Sequence, residues 1–277
     1  MILDAAGRFA HEIADRAGLA DAIRVIPAFG ERFALVRPWS IFESDKRPPG
    51  PATTMALLPR SCQLRLGSIP VIAHAIMHEL VQQKGPPLIE EFLAESGELA
   101  GIDDLVQNLS SSWAGIKNAG KVQEVWARAE ELVCDLFACT VCGPAYFYSM
   151  VRFVSGTLSD FVRPSKSAGT RLPFSKRCAT CFRVLRGLGF EMSFHSDYFR
   201  TDVVPAPDSF CRWLNDKVSR PYMAHENTAL LDACERELSE GKPSNADPVT
   251  LLNAVWRAVV RKGPYLNEIA LLLSLID

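Results

Sequence analysis

Apolar residues recur at three- and four-residue offsets through most of the chain; strand-like runs are confined to its front. From about Ala5 to Ile23, the residues Phe9, Ile13, Leu19 and Ile23 fall at helical spacing among charges, which predicts an amphipathic helix. Arg24-Val-Ile-Pro-Ala-Phe and Glu31-Arg-Phe-Ala-Leu-Val-Arg read as two short strands around Gly30, and Thr53-Thr-Met-Ala-Leu-Leu-Pro as a third. Ser44 to Pro51, rich in proline and charge, is a loop. The apolar run from Pro70 to Val81 has no glycine inside it and predicts a helix, with Ser68 as N-cap and Pro70 in the first turn.

Lys84-Gly-Pro-Pro breaks the chain before further helices over Leu88 to Leu99 and about Asp103 to Leu109. A long helix from Lys121 to Cys142 ends or kinks at Gly143-Pro144. Arg163 to Pro173 is loop-like and leads into a helix through Leu185, and Gly187 to Pro207 is irregular. Four helices close the chain, near Phe210–Val218, Asn227–Leu238, Pro248–Val260 and Tyr265–Ile276. The class is α+β, predominantly α-helical, with a small N-terminal sheet, in a single compact chain of residues 1–277.

At 277 residues, 48% hydrophobic and 22% charged, the chain can bury a large core as a globular protein. A net charge of −2 gives no electrostatic footprint for nucleic acid or an anionic membrane. The longest apolar stretch, Leu132 to Val154, carries Asp135 and Pro144 and fits a buried helix rather than a membrane span. The N-terminus lacks a basic segment followed by an apolar one, so a cytoplasmic location is expected, with the eight cysteines as thiols. Cys139-Thr-Val-Cys142 and Cys178-Ala-Thr-Cys181 are then core residues in preference to a zinc ribbon.

Within the run from Pro70 to Val81, His74 and His78 stand four apart, so a helix places both imidazoles on one face. The spacing is that of the zinc-peptidase motif His-Glu-x-x-His, with Ala75 at the glutamate position. A catalytic zinc takes three protein ligands. Glu131 and Asp135 share a later helix face at the same spacing, with Glu131 as third ligand and Asp135 accepting a ring N–H of a ligating histidine. The expected cofactor is Zn2+ on His74, His78 and Glu131. A shifted register, His78-Glu-Leu-Val-Gln82, gives Glu79 the base role but puts a carboxamide where zinc prefers imidazole. His195, His225 and Tyr146 are candidates to stabilise a tetrahedral oxyanion, each with ordinary structural duty as the competing reading. His11-Glu-Ile-Ala-Asp15 has no second histidine and reads as a solvated helix face.

His-x-x-x-His followed some fifty residues later by Glu-x-x-x-Asp resembles the gluzincin metallopeptidases of the thermolysin-like clan, closest to soluble relatives of the CAAX prenyl endopeptidase type. Thr170-Arg-Leu-Pro-Phe-Ser-Lys-Arg177 is similar to that type's Thr-His-Pro-Pro-x-x-x-Arg segment, departing at Arg171, where the family has histidine. The resemblance covers residues 50 to 190. It implies a zincin-like core over about 24–190 with the sheet beside the metal-binding helix, and a helical extension over about 191–277. It also implies zinc-dependent hydrolysis of a peptide or protein substrate, whose backbone adds to an exposed strand edge near Thr53–Leu58. In the family the glutamate after the first histidine takes a proton from the attacking water and passes it to the leaving amine; Ala75 can do neither. An active peptidase whose base has been replaced is preferred over a natural pseudopeptidase that binds without cutting, because the rest of the motif is intact. A metal-free helical interaction protein is the remaining alternative. A ferritin-like di-iron site would need repeated Glu-x-x-His pairs, which the sequence lacks.

Overall fold

The computed structural model describes residues 2–30, 34–36, 52–59, 69–96, 119–156, 174–192, 204–242 and 244–261. The described chain is predominantly helical. The N-terminal helix α1 (Ile2–Arg16) is shorter than its apolar spacing predicts. It stops because Gly18 takes a left-handed φ of 75° and the Leu19 N–H turns back to the Ala14 carbonyl, a glycine-dependent helix stop. A side chain at Gly18 would also meet the Ser219 hydroxyl at 2.4 Å.

Three strands follow: β1 (Ile23–Gly30), β2 (Ala34–Val36) and β3 (Ala52–Pro59). Their order is β1-β3-β2, with β3 parallel to β1 along its whole length and antiparallel to β2 over Met55 to Leu57. In β1, Ile23 and Val25 turn toward the core while Arg24 and Ile26 face out, the alternation of a strand with one buried face. β3 is therefore the central strand. The expectation of a free edge at Thr53–Leu58 is corrected: β1 occupies one side throughout, and β2 occupies part of the other.

The helices are α2 (Val71–Lys84), α3 (Pro86–Glu95), α4 (Ala119–Cys142), α5 (Pro144–Gly156), α6 (Phe174–Gly187), α7 (Asp208–Asp216), α8 (Ala224–Ser239) and α9 (Pro248–Arg261). Gly85, at φ 68°, and the two prolines after it separate α2 from α3 as the sequence predicts. Ser68, the helix from Asp103, the segment Thr170–Pro173 and the last helix near Tyr265 lie outside the described residues.

The axis of the molecule is α4, which packs against α1, α2, α3, α5, α6 and α7. That is why Leu132 to Cys142 is buried without interruption, and why its apolar run looks membrane-like in sequence. No helix among the described residues is long and apolar enough to cross a membrane. The seven described cysteines are buried free thiols, and Cys139 of α4 faces Cys181 of α6. One hydrophobic cluster runs from Ala6 through Phe137 and Phe147 to Phe210, Leu214, Val249 and Trp256, so α7 and α9 share the core of α1 to α6.

Between α4 and α5 the chain turns at Gly143 (φ 63°), where any Cβ would lie 2.7 Å from the Tyr222 ring. The buried side chain of Asn253 in α9 closes this elbow. It donates to the Cys142 carbonyl at 2.6 Å and accepts the Ala145 N–H at 2.8 Å, satisfying one orphan group from each helix end. The Tyr222 N–H caps the Thr140 carbonyl at 2.7 Å.

Candidate metal centre

The centre lies where α2 packs on α4. Helical spacing puts His74 and His78 on one face of α2, with the rings edge to face and their centroids 4.9 Å apart. Both Nε2 atoms point at a common place, 3.2 Å from each other. From α4, Glu131 brings Oε2 to 3.5 Å from His74 Nε2 and Oε1 to 3.6 Å from His78 Nε2. Zinc bonds of about 2.0–2.2 Å in a tetrahedron place neighbouring ligand atoms about 3.3–3.6 Å apart. The Nε2–Nε2 separation and the nearest carboxylate approach to each imidazole are close to that spacing, the two approaches using different oxygens of Glu131. Among the described residues, His74, His78 and Glu131 are the one group of histidine, cysteine and acidic side chains able to hold a metal ion in this way.

Behind the ligand atoms the groups are also paired. His74 Nδ1–H donates to Asp135 Oδ1 at 2.8 Å, and His78 Nδ1–H donates to Glu130 Oε1 at 2.9 Å. A carboxylate on Nδ1 fixes the tautomer that leaves Nε2 as an acceptor facing the centre. Asp135 has no exposure to solvent and accepts three further bonds: Tyr146 Oη at 2.5 Å, Arg177 Nη2 at 2.8 Å and Arg177 Nε at 2.6 Å. Arg177, from α6, also lies 3.4 Å from Glu131 Oε2. Glu130, Glu131 and Asp135 against Arg177 leave two negative charges once both imidazoles are neutral, as ligation requires, and that is the charge a divalent cation would cancel.

The electrostatics of these side chains follow from the packing. Burial lowers the His74 pKa, but the charge and hydrogen bond of Asp135, with Glu131, outweigh it and raise the imidazole to about 9. Burial raises Glu131, yet His74, Arg177 and His78 overcome it and hold the carboxyl down at about 2. Asp135 is likewise kept well below the usual carboxylate range, against its burial, by Arg177 and His74. Burial and the Asp135 charge push the Tyr146 phenol up.

The structure thus brings together His74, His78, Glu131 and Asp135, with Ala75 buried beside them at 2% exposure. The shifted register is not what the fold builds: His74 is engaged at the centre and Gln82 is exposed on the last turn of α2. The Tyr146 hydroxyl binds Asp135 and approaches His74 at Nδ1 (3.4 Å), on the opposite side of the ring from Nε2. Its geometry braces Asp135 rather than facing an oxyanion at the centre. His225 stands on the first turn of α8, 74% exposed beside Glu226, outside the centre. His195 lies outside the described residues, and His11 is exposed on α1 as its pattern predicts.

Two further participants had no role assigned from the sequence, although Arg177 ends the segment similar to Thr-His-Pro-Pro-x-x-x-Arg. Glu130 looks like a solvated neighbour of Glu131, and Arg177 meets Asp135 across 42 residues. Compared with family models, curated proteins and solved structures, the chain gives no match.

Proposed function

We propose that the chain holds a zinc ion at His74, His78 and Glu131, on the plan of a gluzincin metallopeptidase whose general-base position is occupied by Ala75. The observation that carries this reading is the convergence of both Nε2 atoms and the Glu131 carboxylate, with nearest approaches of 3.2–3.6 Å, and with carboxylates behind both imidazoles. The order of ligands along the chain, two from one helix and the third four residues before Asp135, supports the likeness to soluble relatives of the CAAX prenyl endopeptidase type. In the zincin-like reading, α2 is the metal helix and the three-stranded sheet is the core sheet, with α1 packed against both.

Zinc bound there would supply Lewis acidity, polarising a substrate carbonyl and acidifying water. The chain's own residues hold the geometry: Asp135 orients His74, and Arg177 and Tyr146 keep Asp135 ionised and fixed. Ala75 cannot carry the proton from nucleophile to leaving amine. Losing a general base costs about 10²–10⁴ in rate, and here one residue would serve as both base and acid.

A second reading, a pseudopeptidase that binds a peptide or protein without cutting it, draws on one observation. Ala75 is buried in the tight packing of α2, so a glutamate there must reach the centre or be left as a buried charge. Metal analysis of the purified chain tests the common ground: about one equivalent of zinc is expected, lost in His78→Ala. The variant Ala75→Glu separates the two readings. Peptide cleavage by the zinc-loaded variant supports the inactivated-enzyme reading; full zinc occupancy without cleavage of any protein in a broad proteomic digest refutes it.

A further inference from the structure

A ligating imidazole needs its Nε2 lone pair free, so the proton resides on Nδ1 and needs an acceptor. For His74 the acceptor is Asp135, whose spacing from Glu131 marks it in the sequence. For His78 it is Glu130, one residue from the ligand Glu131 on the same helix. Consecutive residues point about 100° apart around a helix. One turn of α4 therefore delivers a carboxylate to the front of the imidazole pair and another to the back of His78.

The two arms are unequally protected. His74 and Asp135 are 13% and 0% exposed, whereas His78 and Glu130 are 25% and 21% exposed. Three further donor contacts secure Asp135, and the His74 ring has little room to turn. The His78 ring is open enough for water to take its Nδ1–H if Glu130 withdraws.

We infer that Glu130 is a positioning residue of the metal centre: it holds His78 with Nε2 toward the ion and so sets how firmly the exposed arm retains it. The inference rests on the zinc-site reading above. Glu130 contacts His78 from the side away from the centre and is not itself a ligand. What matters in this role is an acceptor at the correct reach, not the negative charge. Gln reproduces the acceptor without the charge; Asp keeps the charge but draws the acceptor back by one methylene.

The test compares the parent with Glu130→Ala, Glu130→Asp and Glu130→Gln, using zinc competition against a chromophoric chelator and the visible spectrum of the cobalt(II)-substituted protein. Glu130→Ala and Glu130→Asp should weaken zinc binding about 10–100-fold, release the ion faster and shift the cobalt bands. Glu130→Gln should stay within about threefold of the parent, because it restores the accepted hydrogen bond. A parent-like Glu130→Asp with a weakened Glu130→Gln would mean that charge, not position, is what counts, and would overturn the inference. So would a parent-like Glu130→Ala in both measurements. The Asp and Gln pair decides the matter even if the alanine variant folds poorly. A parent that takes up no metal removes the centre and the role together; a metal-binding parent with indifferent variants removes the role alone.

Discussion

Replacing Arg177 with methionine (Arg177→Met) probes the fully buried carboxylate of Asp135. The substitution keeps most of the side-chain volume but removes both donors to Asp135, at 2.6 and 2.8 Å, from a carboxylate with no solvent exposure. Tyr146 and His74 remain as donors, so the carboxylate keeps hydrogen bonds but loses its permanent counter-charge. Breaking a buried ion pair from one side costs about 3–5 kcal/mol. Arg177 is itself 22% exposed, which places the expectation near the lower end, about 3 kcal/mol. Its contact with Glu131 at 3.4 Å adds little, because that carboxylate is 41% exposed and screened. For a chain of this size, about 3 kcal/mol lowers the melting temperature by about 6–12 °C. The assay is urea unfolding of both proteins in chelator, followed by circular dichroism, so that metal does not contribute. Asp135→Asn in the Arg177→Met background should recover part of the loss, since a carboxamide tolerates the same site without charge. Arg177→Lys should fall between, keeping the charge but not the two-pronged geometry. A loss below about 1 kcal/mol in Arg177→Met would refute the view that this pair anchors the centre.

Three further outcomes follow from the structure. His74 in the metal-free chain binds its proton with a pKa of about 9, above the 6.5 of an ordinary imidazole. The stability this contributes is complete below pH 6.5 and fades as pH rises through about 9, so the metal-free chain should weaken over that window while the zinc-loaded chain does not. Zinc uptake at pH 7.5 should correspondingly release about one proton, measured by titration calorimetry in buffers of different ionisation enthalpy; no release would refute the assignment. Asn253→Ala should destabilise the fold by about 2–4 kcal/mol, because it leaves the Cys142 carbonyl and the Ala145 N–H without partners. Urea unfolding checks that value, and a change under about 1 kcal/mol would show that the elbow finds other partners.

What the sequence made legible was local. The fourfold spacing of His74 and His78, and of Glu131 and Asp135, is a property of single helices, and each pair could be placed on one face from the amino-acid order alone. The break at Gly85-Pro86-Pro87 and the kink at Gly143-Pro144 were equally plain, because both residue types act on their own backbone. Contacts between elements were not legible. That β3 lies between β1 and β2 depends on a parallel pairing, and nothing in Thr53–Leu58 itself announces two partners. Asn253 acts across more than 100 residues, and Arg177, marked in the sequence by the family-like segment it ends, gives no sign there of its partner Asp135 42 residues away. Glu130 was hidden for the opposite reason: it sits next to a stronger candidate, and a pair of acids on a helix usually points into water. The end of α1 was overrun because Leu19 and Ile23 keep helical spacing after Gly18 has already turned the chain.

The elbow between α4 and α5 has a bearing on how the protein is made. Its closure waits for Asn253, and the three candidate ligands leave the ribosome more than a hundred residues earlier. The helix carrying Glu131 therefore acquires this clamp only after the chain has been made through Asn253. Chains that stop short of Asn253 should hold the imidazoles and the carboxylate in loose register, so that any tight capture of an ion waits for the clamp.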